Sequence, residues 1–146
     1  MKFIDGLALI IKESMHLEED QIAIGDFGNI VKDDGRLYVL LNHQLSTPFA
    51  NNRYFDGQEY KSYVNMIEVI NITIYAYNQE DGYNQAMERK EGMLQALSSF
   101  KASEIARINN FRIYPITESI VDVSSVESNV NVKRYDVLAK GMACYL

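Results

Sequence analysis

The sequence predicts a single α+β domain over residues 1–146, in which a mostly antiparallel sheet with long strands carries a major helix on one face and is joined by an N-terminal helix. Three observations favour this fold class. Apolar residues recur at helical spacing near the N-terminus and again in the second half of the chain. Between these regions, apolar and polar residues alternate as in a strand that buries one face. The length of 146 residues and the 47% apolar content suit one compact domain.

Residues 3–17 form the first predicted helix. Their apolar side chains follow the spacing of one helical face, at Ile4, Leu7, Ala8, Ile11 and Met15. We expect this face to dock against the rest of the domain. The acidic residues that follow, Glu18-Glu19-Asp20, are expected to form a solvated turn rather than a metal site.

Two short apolar runs then flank Asp33-Asp34-Gly35, whose turn chemistry predicts a β-hairpin between residues 22–31 and 36–41.

Residues 42–58 are rich in Asn and contain Pro48, so they are predicted to form a long loop. This loop carries Phe49, Arg53, Tyr54 and Phe55, residue types that are favoured at the buried centres of interfaces. A subunit contact is the preferred interpretation. The loop packing back on its own core, or contacting a ligand, is the alternative.

Residues 59–78 alternate with period two, most clearly over VINITIYAY at 69–77. A strand of nearly twenty residues would extend roughly 60 Å at about 3.3 Å per residue, which exceeds the width of a domain this size. The strand must therefore bend or project from the domain.

Residues 83–100 form the most regular predicted helix, and residues 103–108 form a shorter one with Ser103 as its N-cap. Strands are predicted at 111–116, which Pro115 interrupts, at 119–123 and at 130–146. The apolar phase of the last strand shifts near Gly141, so a bulge is predicted there.

The markers of known chemistry are missing from the sequence. His16 and His43 are not paired at metal-ligand spacing, the single Cys144 cannot form an internal disulfide, and there is no glycine-rich phosphate loop. The net charge of −6, with Lys and Arg scattered singly, argues against a nucleic-acid grip. We predict no catalytic, cofactor-binding or metal-binding residues, and hence a protein that is not an enzyme.

No segment is apolar enough for a signal peptide or a transmembrane helix, so we expect synthesis in the cytoplasm and no membrane partner.

The chain is rich in tyrosine, with ten residues, and Tyr60, Tyr63, Tyr75 and Tyr77 are placed on the polar faces of predicted strands. Tyrosines there favour subunit contacts. The alternative is that helices cover both faces of the sheet.

Several segments resemble the neck or tail terminator proteins of tailed bacteriophages. They are GQEY at 57–60, MIEVINITIYAY at 66–77, AMERKEGMLQAL at 86–97 and RYDVLAK at 134–140. The resemblance covers roughly residues 36–146. In that family a long strand precedes the helix, and a final strand runs back across the sheet.

The resemblance implies a structural virion protein. Such proteins form a homo-oligomeric ring, typically a hexamer, that caps the head-proximal end of the tail tube and joins it to the head connector or completion protein. It also implies assembly in the host cytoplasm, localisation in the virion neck or tail, and DNA passing through the lumen without specific binding. The expected subunit interface comprises Phe49, Arg53, Tyr54, Phe55, Tyr60 and Tyr63. Another neck or tail component, such as a tail tube or head-completion protein, is the alternative, followed by a small cytosolic binding module or enzyme.

Overall fold

One sheet and three helices form the body of the part of the chain that the structure describes. The computed structural model describes residues 1–25, 32–124 and 131–145, with all their side chains except that of Asn52. Within these residues the elements are α1 (Phe3–Ser14), a 3₁₀ turn (Glu19–Gln21), β1 (Ile22–Ile24), β2 (Tyr38–Phe55), β3 (Tyr60–Tyr77), α2 (Gln85–Leu97), α3 (Phe100–Ile108), β4 (Phe111–Ile113), β5 (Val121–Asp122) and β6 (Val132–Tyr145). This arrangement confirms the α+β class.

The strand order is β1-β2-β3-β6-β4, and β5 also pairs with β6. The long antiparallel pairs β2–β3 and β3–β6 dominate the sheet, while β1 alone runs parallel to its neighbour. The prediction of a mostly antiparallel sheet with long strands is therefore confirmed, as is the long strand between the helices.

The core lies between one face of the sheet and the helices. On β3 this face consists of Ile70, Ile72 and Ile74, which are fully buried together with Leu7 and Ile10 of α1. The helices of the described chain pack against this face, and Tyr38, Leu40 and Val132 are buried on the opposite face of the sheet. The predicted apolar stripe of α1 is confirmed. The described helices pack on one face of the sheet, so the alternative that helices cover both faces is not met in this part of the chain.

The predicted hairpin between residues 22–31 and 36–41 is wrong for its described part. Ile22–Ile24 pairs with Val39–Leu41 in parallel, not antiparallel. A parallel pair needs a connection of about a dozen residues or more, and residues 25–37 supply one of that length. Residues 26–31 of the predicted hairpin lie outside the described part of the chain.

The predicted loop at 42–58 is also wrong, because β2 continues through it to Phe55. Two β-bulges interrupt the pairing of β2 with β3, between His43 and Leu45 and between Pro48 and Ala50. A bulge inserts an extra residue and breaks the period-two pattern, so the alternation that identifies a strand was hidden. Pro48 is tolerated because it lies next to a bulge, at a point where no strand of the described residues pairs with the outer edge of β2.

The two later helices are confirmed, with shifted boundaries. The helix predicted at 83–100 is shorter, Gln85–Leu97, and Phe100 belongs to the next helix. α3 begins at Phe100 rather than after Ser103, because Ser99 is its N-cap and accepts a hydrogen bond from the Ala102 amide at 3.1 Å. The prediction placed the cap four residues too late. The strand predicted at 111–116 ends at Ile113, before Pro115, as that proline indicated.

The bulge predicted at Gly141 does not exist. The register between β3 and β6 is continuous through Glu68↔Gly141, so odd-numbered residues of β6 face the core throughout. Gly141 serves a different purpose. A Cβ atom there would overlap the carbonyl oxygen of Arg112 and the ring of Phe3, so the position must remain without a side chain.

Candidate functional site

The candidate functional site is a two-stranded projection at one end of the sheet. We call it the arm and define it as residues 51–55 of β2, the turn 56–59 and residues 60–64 of β3. Inside the body β3 pairs with both β2 and β6, but the β6 pairing ends at Val64↔Tyr145. On the other side, the β1 pairing of β2 ends at Leu41. Relative to the described residues the long predicted strand thus projects, and its five outermost residues extend about 16 Å at roughly 3.3 Å each.

The turn at the tip of the arm is held by Asp56. Its carboxylate accepts hydrogen bonds from the amides of Gln58 and Glu59, both at 2.9 Å, and pairs with Lys61 at 3.0 Å. The amides of Glu59 and Gln58 lower the pKa of Asp56. Gly57 adopts a positive φ of 100°, which the tight turn requires. The tip is therefore an ordered turn, although its side chains are exposed.

Aromatic residues lie on both faces of the arm. On one face Phe55 pairs directly with Tyr60, and their ring centroids are 5.1 Å apart. On the opposite face Tyr54 and Tyr63 are diagonal neighbours with centroids 6.3 Å apart. Phe55 remains 59% exposed and Tyr60 83% exposed. Because side chains alternate between faces, the arm offers an aromatic surface in two directions.

The remaining predicted interface residues also lie on or beside the arm. Arg53 is opposite Ser62, on the same face as Phe55 and Tyr60, and it is exposed. Phe49 is the extra residue of the second bulge, at the base of the arm, and is 51% exposed. The structure therefore places five of the six predicted residues on the arm and the sixth, Phe49, at its base. It corrects the placement of Tyr60, which faces the core side of the sheet rather than the side of Tyr63.

The sequence analysis missed an apolar patch on the helix-free face of the sheet, at the base of the arm. Leu45 of β2 pairs with Val69 of β3, and Ile67 of β3 pairs with Met142 of β6. Leu45 is 56% exposed and the other three are half-buried. Ile67 and Val69 lie at positions where the alternation of β3 predicts polar residues. These two apolar residues were the feature of the sequence that could have indicated the patch.

A polar network at the base of the arm was also missed. The carboxylate of Glu68, on the core face, is nearly buried and accepts hydrogen bonds from Ser46 Oγ at 2.6 Å and Tyr145 OH at 3.3 Å. His43 Nε2 lies 2.9 Å from Glu68 Oε2 and 2.7 Å from Ser46 Oγ. Burial raises the pKa of the Tyr145 hydroxyl, which keeps it a hydrogen-bond donor, while its bond from the Phe3 amide acts in the opposite direction.

This network does not have the geometry of a catalytic triad. In a triad the histidine lies between serine and carboxylate and uses a different ring nitrogen for each. Here one nitrogen of His43 contacts both groups, and the serine hydroxyl donates directly to Glu68. The serine is therefore not activated by the histidine. The network instead joins β2, β3, β6 and the start of α1 where the apolar core ends.

The described residues contain neither a metal-binding cluster nor a membrane-spanning helix. Among residues 1–25, 32–124 and 131–145, no three His, Cys, Asp or Glu side chains are grouped so that they could hold a metal ion. None of the helices described is long and apolar enough to cross a membrane. The arrangement that remains suits contact with another macromolecule through aromatic side chains and strand edges.

No protein-family model matches the chain, and no curated protein matches it significantly.

Proposed function

We propose that this protein is a structural virion protein of a tailed bacteriophage. It assembles into a ring, typically of six copies, that caps the head-proximal end of the tail tube and joins the tube to the head connector. The observation that carries the proposal is the arm, whose aromatic residues protrude on both faces. Its support from the sequence is the resemblance of residues 36–146 to the neck and tail terminator proteins.

The arm supports the proposal of assembly because it contributes little to the stability of the monomer. An isolated two-stranded ribbon is at best marginally stable in water, and large apolar side chains are usually buried. Phe55 and Tyr60 pair with each other and keep most of their surface exposed in the monomer, so a partner can cover them. Fully burying a Phe side chain contributes roughly 1.5–3 kcal/mol, so one arm per subunit would add substantially to a ring contact.

The free strand edges of the arm support the same proposal. Beyond Leu41, the outer edge of β2 pairs with no strand of the described chain. Residues 60–63 of β3 lie beyond Val64, the last residue of β3 that pairs with β6 in the described chain. Natural proteins block such edges to prevent association. Pro48 and the two bulges interrupt β2 up to Ala50, but the arm beyond them keeps an uninterrupted register.

The charge of the chain is compatible with a ring through which DNA passes. The net charge is −6, and a net-acidic chain does not attract phosphates as a basic one does. In the proposed role the protein is assembled in the host cytoplasm and resides in the neck or tail of the virion. DNA crosses the lumen without being bound specifically.

The proposal is tested by measuring the mass of two purified proteins, the wild type and the variant Phe55→Asp, and by imaging each with electron microscopy. We expect rings for the wild type and monomers for the variant. A carboxylate that is desolvated in a contact costs several kcal/mol in addition to the lost apolar burial. Circular dichroism should show the same fold for both proteins, since Phe55 is exposed in the monomer.

The matched control is Met87→Asp, which places the same charge on an exposed apolar residue of α2, away from the arm. This variant should still form rings. A wild type that stays monomeric and shows no rings contradicts the proposed function. Rings that persist in Phe55→Asp contradict the role of the arm.

A further inference from the structure

An apolar groove lies on the helical side of the protein, away from the arm. It is enclosed by the C-terminal half of α2, by α3 and by the segment 111–116, and its volume is about 630 Å³. Its apolar lining includes Leu94, Leu97, Ala106, Phe111, Ile113 and Ile116. A cavity of this size and composition can accept one or two large side chains.

Two arginines border the groove and carry no compensating charge. Arg107 of α3 and Arg112 of β4 both line it and are both exposed. Neither forms an ion pair with an acidic side chain in residues 1–25, 32–124 or 131–145. An apolar floor with cationic groups at its border selects a ligand that combines apolar bulk with negative charge.

The tip of the arm has this combination. Phe55 and Tyr60 form its apolar pair, and Glu59 stands beside them in the turn. Asp56 is neutralised by Lys61, but the Glu59 side chain makes no ion pair with the described residues. The turn thus supplies a carboxylate that makes no ion pair among the described residues, next to two exposed rings. Arg53 lies on the same face of the arm but farther from the turn, opposite Ser62.

The arm and the groove of one molecule do not meet. No residue of the arm lines the groove. The arm is built from β2 and β3, whereas the groove lies beyond β6, next to β4 at the far side of the sheet. Two complementary surfaces at different places on one chain make a heterologous contact, which closes into a ring when the rotation between copies allows it.

We infer that the groove receives the arm tip of a second copy of this chain, with Phe55 and Tyr60 in the cavity and Glu59 beside Arg107 and Arg112. This inference rests on the proposed function, because it names the two surfaces through which successive subunits of the ring meet.

A charge-reversal experiment tests the pairing. Glu59→Arg alone, and Arg107→Glu with Arg112→Glu, should each weaken assembly at least about tenfold in the protein concentration required, since like charges then face each other. The triple variant that combines all three changes should recover most of this loss. Mass is measured by light scattering over a concentration series, and circular dichroism verifies the fold of every variant.

The matched control is Glu80→Arg, which reverses an exposed acid in the connection between β3 and α2 and should leave assembly unchanged. Wild-type rings with unaltered assembly of all charge variants overturn the inference but leave the proposed function standing. Loss in both single-surface variants without recovery in the triple variant also overturns it. A wild type that never assembles contradicts the proposed function and the inference together.

Discussion

Gly141 illustrates at the scale of the residue how a pattern in the sequence can have a cause that only contacts reveal. The apparent phase shift around it comes from Met142 and Cys144, which lie on the helix-free face and are half-buried. Gly141 itself faces the core, opposite Glu68, where the backbone of β4 and the ring of Phe3 approach too closely for a side chain. The glycine is needed for close approach, not for a bulge.

The first prediction follows from this contact. Gly141→Ala should lower the free energy of unfolding by about 1–3 kcal/mol, because a methyl group overlapping the Arg112 carbonyl forces the backbone of β4 or the Phe3 ring to move. Chemical denaturation followed by circular dichroism measures this change.

Gly92→Ala is the control for that prediction. Gly92 lies inside α2, and a Cβ there meets only Met15 Cε at 4.0 Å, an ordinary contact. Removing a helical glycine should raise the free energy of unfolding by about 0.5–1 kcal/mol. Equal effects of the two substitutions would show that the close approach at Gly141 does not limit packing.

At the scale of the element, Asn84 is the residue that ties α2 to the sheet. Its side-chain oxygen accepts from the amides of Ala86 and Met87, which caps the helix. Its amide group donates to the Ala76 carbonyl at 2.9 Å, at the end of β3, and to Asn78 Oδ1. One buried side chain thus ends the strand and starts the helix, which sets how the two elements meet.

The second prediction concerns this cap. Asn84→Ala should cost about 2–4 kcal/mol of unfolding free energy, because it removes the cap and leaves the buried Ala76 carbonyl without its side-chain donor. Ser99→Ala at α3 removes a cap and a hydrogen bond to the Ala96 carbonyl at a partly exposed position, and it should cost about 1 kcal/mol. Thermal or urea unfolding of both variants measures the difference. A loss for Asn84→Ala no larger than that for Ser99→Ala would refute the linking role.

At the scale of the whole molecule, the protein divides into a packed body and an arm that depends on the body only through β2 and β3. The core and the helices end at the Glu68 network, and the side chains of residues 51–60 beyond it are exposed or intermediate wherever they are described. Stability therefore resides in the body, and the arm is available for contact.

The third prediction separates these two parts. Asn51 and Val64 lie directly opposite each other, so Asn-Gly can replace residues 52–63 as a two-residue hairpin turn. We expect the free energy of unfolding to change by less than about 1 kcal/mol, since the removed residues are mainly surface. Assembly should be lost, which light scattering measures. A shortened protein that fails to fold, or one that still forms rings, would contradict this division.

Much of the body could be predicted from sequence because its signals are local. The stripe of α1 and the alternation of Ile70, Ile72 and Ile74 each reflect burial of one face of one element, and periodicity records this directly. The six candidate interface residues were chosen by type, since Phe, Tyr and Arg in an otherwise polar stretch indicate a contact surface.

The tertiary structure alone decided how those residues are presented. β2 is a strand through the predicted loop because β3 pairs with it and two bulges absorb the irregular sequence around Pro48. The same register sends Tyr54 and Tyr63 to one face of the arm and Phe55 and Tyr60 to the other. The groove exists because α3 and β4 meet over the end of α2. The sequence by itself determined the helices, the long strand β3 and the residue types found on the arm. Pairing between distant segments decided the extent of β2 and the geometry of the arm, because register and close approach depend on both partners and leave no period in either one.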